Sequence, residues 1–485
     1  MAFRNGNRKE GMLLPKYIED YVGENDSVRV YDKIIDRYSD EELGLEYDEN
    51  QVGNSRYNPR TMLKLIAYSY SYGLRSSRKI ERALYHNMSF VWLMGGLKPD
   101  HKTICNFRND NEDLIARTLR LIVLECVRLK MVDGNMLFVD GTKVKANASL
   151  NKSWTKKKIK KHVEKIDKNI KDLLDEHKNN DIKEMGEDSY VKTNVKEKIE
   201  QLEKFKRKLD HIEDEIEKKE ENEENENHNT TDTECVLVKE KKGFKAGYNG
   251  QITTDGKHGF IVSSEVVAKN NDYKQFSKQI KKGNENTGRK CRHAVADAGY
   301  YSIDQLKEIK KDDIDVIVPH RDQSREKKDI LYKDKPFSHD KFEYDEKKDI
   351  YICPEGNELK YSRTYPRTGN RQYRIVDRRL CFNCKNYGEC TESSIGRTIL
   401  KNKDEIFRKE LADRYSSDEG QAIYKHRKYR VEGVFGHLKH NMGYDNFLLR
   451  GIKGVNIEMN LFSIAHNIGK MINLAGIKTL LKIFS

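Results

Sequence analysis

The chain has 485 residues, enough for roughly two to four domains, and its hydrophobic (36%) and charged (35%) shares predict extended charged helix beside packed core. A net charge of +13 favours a polyanionic partner, most simply nucleic acid. No run of about 18 apolar residues argues for a membrane span, and the opening MAFRNGNRKEG has no apolar leader core, so a cytoplasmic protein is expected whose eight cysteines are thiols or metal ligands.

Residues 1–130 read as mostly helical. A helix is predicted over 59–72, opened by Pro59 and stopped near Gly73. Ser76 and Ser77 can cap a second, RKIERALYHN. After a short apolar turn (Met88–Leu93), Asp100 can cap a third, HKTICNFRN, and the longer LIARTLRLIVLECVRLKMV follows. Arg75, Arg78, Lys79, Lys102 and Arg108 lie among these elements. They suit a helix-turn-helix-like DNA module, and they equally suit a plain bundle with a solvated basic face.

MLFVD (136–140) is the first strand, an apolar run ending in an acid. Residues 156–222 then change character. Ile159, Val163, Ile166, Ile170 and Leu173, and later Val195, Ile199, Leu202, Leu209, Ile212 and Ile216, recur at helical spacing among Lys and Glu. That is the seam of an antiparallel helical hairpin or coiled coil, read as a spacer or dimer arm. Its closing stretch, EENEENENHNTTDTE, is expected as a mobile linker.

Further strands are predicted at 245–255, 259–268, 293–297 and 315–319, with helices over 272–282 and from Ser302. The order strand, strand, strand, helix, strand, helix, strand is that of an RNase H-like α/β fold with a mixed five-stranded sheet. Four segments follow from it. They are an N-terminal helical DNA-binding domain (1–130), a catalytic core (131–150, 235–320 and 401–485), a helical-hairpin insertion (151–234) and a Cys-rich insertion (321–400).

Phosphodiester chemistry needs an activated oxygen nucleophile and help for a leaving alkoxide. Two Mg²⁺ ions roughly 3.5–4 Å apart supply both and require clustered carboxylates. In this strand order Asp140 and Asp297 each end an apolar run at neighbouring strands, where they would repel without a cation. A third acid would come from a packed helix. Within YKHRKYRVEGVFGHLKHNMGYDNFLLRG (424–451), Val431, Val434, Phe435 and Leu438 form an apolar stripe, and Glu432 flanks it. Alone, Glu432 reads as charge balance on a basic helix; with the two aspartates it reads as the third ligand.

At FVDGTKVKANAS, VADAGYYS and YRVEGVFGHLKHNMGYDNFLLRG the chain resembles a DDE-type insertion-sequence transposase. RSSRKIERALYHNMSFVWLMGG, DHKTICNFRN and NLFSIAHNIGKM extend the likeness in collinear order over most of the chain. The resemblance implies a bacterial, nucleoid-associated enzyme with the acid triad Asp140, Asp297 and Glu432. Two Mg²⁺ ions, replaceable by Mn²⁺, would serve cleavage and strand transfer. Double-stranded DNA (terminal inverted repeats and target) would be the partner, bound by a homodimer. The family's Tyr-x2-Arg-x3-Glu-x6-Lys signature carries over onto Tyr424, Glu432 and Lys439. Arg427 lies one residue too far from Glu432, and Lys428 holds the arginine register. Lys439, and Lys143 and Lys145 beside Asp140, are candidate phosphate contacts; for the latter two a solvent-facing edge is the alternative.

Cys353, Cys381, Cys384 and Cys390 could hold one structural Zn²⁺, although only one Cys-x2-Cys knuckle is present. The neighbouring YSRTYPRTGNRQYRIVDRR (361–379) mixes tyrosine with arginine, as a DNA-contacting surface or a small twisted sheet would.

Overall fold

The structure, a computed structural model, describes residues 17–45, 56–183, 189–221, 227–240, 243–326, 337–366 and 369–485. These fall into two units. The first lies within Met1–Asp272, Lys278–Arg292 and Arg427–Ser485, and the second within Tyr273–Ser277 and His293–His426.

The first unit is built on a long central strand. β1 (Met136–Lys145), β2 (Val236–Glu240), β3 (Gly243–Asp255) and β4 (Ile261–Val267) are antiparallel. β3 pairs with β1 along one edge, from Leu137↔Asp255 to Lys145↔Gly247, and with β2 and then β4 along the other. Its small residues permit this crowding. A Cβ at Gly250 would fall 2.4 Å from the Tyr444 hydroxyl.

The helices are set by their caps and apolar faces. Lys64 joins α1 (Val28–Asp36) to α2 (Pro59–Ser71), its ammonium 2.6 Å from Asp32 and 2.7 Å from Asp36. Asn58 caps α2 through the amides of Arg60 and Thr61, with Pro59 in the first turn. α3 (Ser77–His86) follows without a side-chain cap. Asp100 caps α4 (His101–Asp110) through the Thr103 amide at 2.7 Å, and α5 (Glu112–Arg128) comes next. α6 (Lys156–Lys183) and α7 (Ser189–Glu221) pack through Ile159, Ile166, Leu209, Ile212 and Ile216. The pairs Lys156–Glu217 and Asp167–Lys206 run in opposite senses along the two helices, so the helices are antiparallel. The core of the expected turn between them, 184–188, lies outside the described residues. After α8 (Gly433–His440), the long α9 (Gly451–Ala475) is buried over most of its length. It packs against α2, α5 and β4. Among the described residues no helix is long and apolar enough to cross a membrane.

Three expectations change. β1 does not end at Asp140 but runs on to Lys145, because β3 offers paired backbone along its whole length. Residues 227–234 are not a mobile linker. Asn229 donates to the Ser149 carbonyl and the Ser153 hydroxyl, Asp232 accepts from Tyr248 at 2.6 Å, and Glu234 accepts the Ile452 amide at 2.8 Å. Short polar side chains here satisfy backbone and buried hydroxyl groups, a role their hydrophilicity conceals. The rest of that linker, 222–226, lies outside the described residues. Finally, β2 is a strand that was not among the five expected in the core.

In the second unit, β5 (His293–Val295) and β6 (Asp315–Ile317) are parallel, with His293 opposite Asp315. Arg414 clasps Asp315, and this with His293 holds its carboxyl below the usual range against the opposing effect of burial. A separate antiparallel sheet follows: β7 (Glu343–Asp345), β8 (Ile350–Ile352), β9 (Glu358–Thr364), β10 (Arg371–Ile375) and β11 (Thr398–Lys401), in sequential order. Its core is Phe342, Tyr351, Leu359, Tyr373, Ile375 and Ile399. The Tyr- and Arg-rich stretch 361–379 thus supplies strands, with Arg371 stacked on Tyr361 at 4.8 Å.

Candidate active site

Side chains alternate along β1, so Asp140 shares a face with Phe138 and Val144, while Lys143 and Lys145 belong to the opposite face. Lys143 lies 3.7 Å from Asp272. Lys145 is exposed and lines a cleft of about 640 Å³ with Lys152, Lys245 and Arg450. By this alternation neither lysine shares a face with the acid that precedes it in sequence. The Asp140 side chain is 13% exposed, and its Oδ1 accepts the Gly141 amide at 2.9 Å.

The partner of Asp140 comes from the helix that ends in α8. Residues Lys428–Glu432 form a π-helical turn leading into it. Five residues of α-helix turn about 500°, which would leave Arg427 and Glu432 about 140° apart. A π turn bonds residue i to i+5 and brings such a pair into line. The Arg427 guanidinium accordingly lies 2.9 Å from Asp140 Oδ2 and 3.4 Å from Glu432 Oε1. The extra residue between Arg427 and Glu432 is absorbed by the backbone, and Arg427, not Lys428, faces the acids. Lys428 is exposed. Lys439 is half-buried within electrostatic reach of Asp140 and Lys245; burial above all lowers its pKa.

Asp297, in the second unit, directly follows β5 and Ala296. It caps the short turn Ala298–Tyr300 through the Gly299 amide at 2.8 Å. Tyr424 packs edge-on against Tyr415, with ring centres 5.1 Å apart.

Of the N-terminal candidates, Arg78 and Lys102 are exposed. Arg108 is not available to DNA. It is 3% exposed and donates to the Arg75 carbonyl at 2.8 Å. Both arginines face Glu458 of α9, a fully buried acid that the sequence reading missed. Its carboxylate accepts the Leu448 and Leu449 amides at 2.7 and 2.9 Å, anchoring the chain just after α8. The signal was present: one acid inside the apolar run NIEMNLFSIA. A buried charge needs partners, and the basic N-terminal helices supply them.

Whether these residues suit metals is a matter of donor chemistry. Two carboxylates already share one cation, the guanidinium of Arg427, so the charge balance fits a hard divalent ion with oxygen ligands. The four cysteines of the second unit line one cavity of about 30 Å³. Backbone amides of Asn357, Arg397 and Asn386 donate to the sulfurs of Cys353, Cys381 and Cys384 at 3.3, 3.4 and 3.5 Å. Amide donors to sulfur are the outer contacts a zinc site uses, whereas burial raises the Cys390 thiol. As the side chains stand, however, no three His, Cys, Asp or Glu residues among those described converge to hold a metal.

Two families match the chain. Residues 352–472 match the family described as Transposase DDE domain, and residues 16–110 the one described as Transposase domain (DUF772). Both are transposase families, and together they support a DDE-type insertion-sequence transposase. The first match takes in the cysteine cluster, Arg427, Glu432 and Lys439, while Asp140 and Asp297 fall outside it. The second takes in α1–α4 of this transposase, including Arg78 and Lys102. No curated protein and no solved structure matches the chain.

Proposed function

We propose that this transposase cleaves DNA at the terminal inverted repeats of its own bacterial insertion sequence and joins the freed ends to target DNA. Asp140, Asp297 and Glu432 are its acids, on an RNase H-like core. The observation that carries this reading is the shared contact of Asp140 and Glu432 with one cation, Arg427. Two acids nearly three hundred positions apart have no structural need to meet there, whereas phosphodiester chemistry requires it. When bound, Mg²⁺ or Mn²⁺ supplies the Lewis acidity for both nucleophile and leaving group. The chain's own part is to hold the cation-binding oxygens in place and to bind the phosphate. Lys439 offers a point charge to a phosphate next to Asp140. Water and then the released 3′-hydroxyl are the successive nucleophiles.

In the same reading Arg78 and Lys102 present the N-terminal helices to the terminal repeats, and the enzyme works on DNA as a homodimer in the nucleoid. A structural Zn²⁺ closes the cysteine cluster of the second unit. The test uses DNA carrying the gene with its own flanks. Asp140→Ala, Asp297→Ala and Glu432→Ala should each abolish Mg²⁺-dependent end cleavage while leaving DNA binding in place. Cleavage at the wild-type level by any one of them removes that residue from the site. Binding without metal-dependent cleavage by the wild type would make the protein a DNA-binding regulator instead.

A further inference from the structure

A second charged site lies in the first unit and is built mainly of bases; the acids nearest it, Asp133 and Asp255, lie on the side of Lys257 and His258. Three elements build it. The β3–β4 turn brings Lys257 and His258, the helix of the catalytic acid brings Arg430 and His437, and α9 brings His466 and Lys470. They are locked together by backbone contacts. Gly259, at φ +71°, sits so close to the Arg430 carbonyl that a Cβ there would fall 3.0 Å from it. Asn467, next to His466, donates to the Ile261 carbonyl and accepts its amide, at 2.8 and 2.9 Å.

Several polar groups at this junction have weak partners or none within the protein, whereas His437 Nδ1 pairs with the Asn441 amide at 2.9 Å. His466 is 6% exposed, and beyond a weak contact with the Gly259 backbone its ring nitrogens meet no well-aligned hydrogen-bond partner. Arg430 Nε is buried without a hydrogen-bond partner. The His437 ring stands 5.3 Å from that of His466. Burial and then Lys470 depress His466 to about 3; burial and then Arg430 depress Lys470. The charged groups acting on Lys470, His437 and His466 are all bases. Like charges packed together with buried donors unpaired carry a cost in the empty protein, and the natural relief is an oxyanion.

We propose that Arg430, His437 and Lys470, over His466, form a binding site for a phosphate oxyanion, filled by a backbone phosphate of duplex DNA away from the scissile bond. The site itself stands apart from the proposed cleavage chemistry; only the choice of DNA as the source rests on that reading.

The test is made without metal, in EDTA, on the full chain. Binding of a 30-bp duplex is measured against salt, and melting is measured with inorganic phosphate against chloride of equal ionic strength. Lys470→Met should raise the melting temperature of the DNA-free protein, because it removes a repelled charge. It should also lower the salt slope of duplex binding by about one. Arg430→Gln should do the same to the slope, and Lys470→Arg should keep it. If the slope holds but stabilisation by inorganic phosphate disappears in Lys470→Met, the site takes a soluble oxyanion. If Lys470→Met and Arg430→Gln change neither slope nor phosphate response, the proposal is overturned. No cleavage is read, so this failure is separable from failure of the end-cleavage assay.

Discussion

The stretch from Arg427 to His440 carries two charged sites with opposite balance. On one side Asp140 and Glu432 share the guanidinium of Arg427, so the acids are partly neutralised from within the chain. On the other side Arg430, His437 and Lys470 face one another with no acid between them. The first site is at rest without a ligand and must give up an internal cation to accept an external one. The second is under repulsion until an anion arrives. A single helical segment thus separates a site that is stable when empty from one that is stable when filled, and stability measurements can tell them apart.

Glu458 is the buried acid with the most partners, although burial still raises its carboxyl above the usual range, and its loss has the largest expected effect. Glu458→Ala leaves two amides and the Arg75 and Arg108 charges without their acceptor, at a cost of about 3–5 kcal/mol in chemical denaturation. Arg427→Ala comes next. It leaves Asp140 and Glu432 facing each other and should cost about 1–3 kcal/mol, less than Glu458→Ala because Glu432 is 52% exposed. Added Mg²⁺ should restore more stability to this variant than to the wild type. Lys470→Met should act in the opposite direction, gaining about 0.5–1 kcal/mol without DNA. If Arg427→Ala stabilised and Lys470→Met destabilised, the comparison would fail on both sides.

The smallest effect concerns an acid with donors in excess. Hydroxyls of Tyr344 and Tyr373, and then Arg371, hold the Asp349 carboxyl down to about 2, against an ordinary 3.8. A depressed acid stabilises the fold above its ordinary value, and that stability is lost as pH falls through the folded value. Melting of the wild type should therefore drop between about pH 4 and pH 2, more steeply than that of Asp349→Asn. The carboxyl is partly exposed, so the difference should be modest.

Much of the first unit was legible in sequence because strand and helix periods are local. The apolar run before Asp140, the stripe beside Glu432, Pro59 at the start of α2 and the cap at Asp100 are all set by neighbours within a few residues. What escaped depends on partners far along the chain. The continuation of β1 to Lys145 is dictated by β3, about a hundred residues later. Arg108 looked like a DNA contact because its counter-charge, Glu458, lies 350 positions away. The polar stretch 227–234 resembled a linker because its bonds go to Ser149, Tyr248 and Ile452. The place of Arg427 could not be read from spacing alone, because a π turn changes which positions share a face.

The most direct measurement is calorimetric titration of Mn²⁺ or Mg²⁺ into the DNA-free protein and three variants. If Asp140 and Glu432 form the cation site that Arg427 fills in its absence, Asp140→Asn and Glu432→Gln should each weaken binding by at least about tenfold. Arg427→Ala should tighten it. Equal metal affinity in all four proteins would contradict the account.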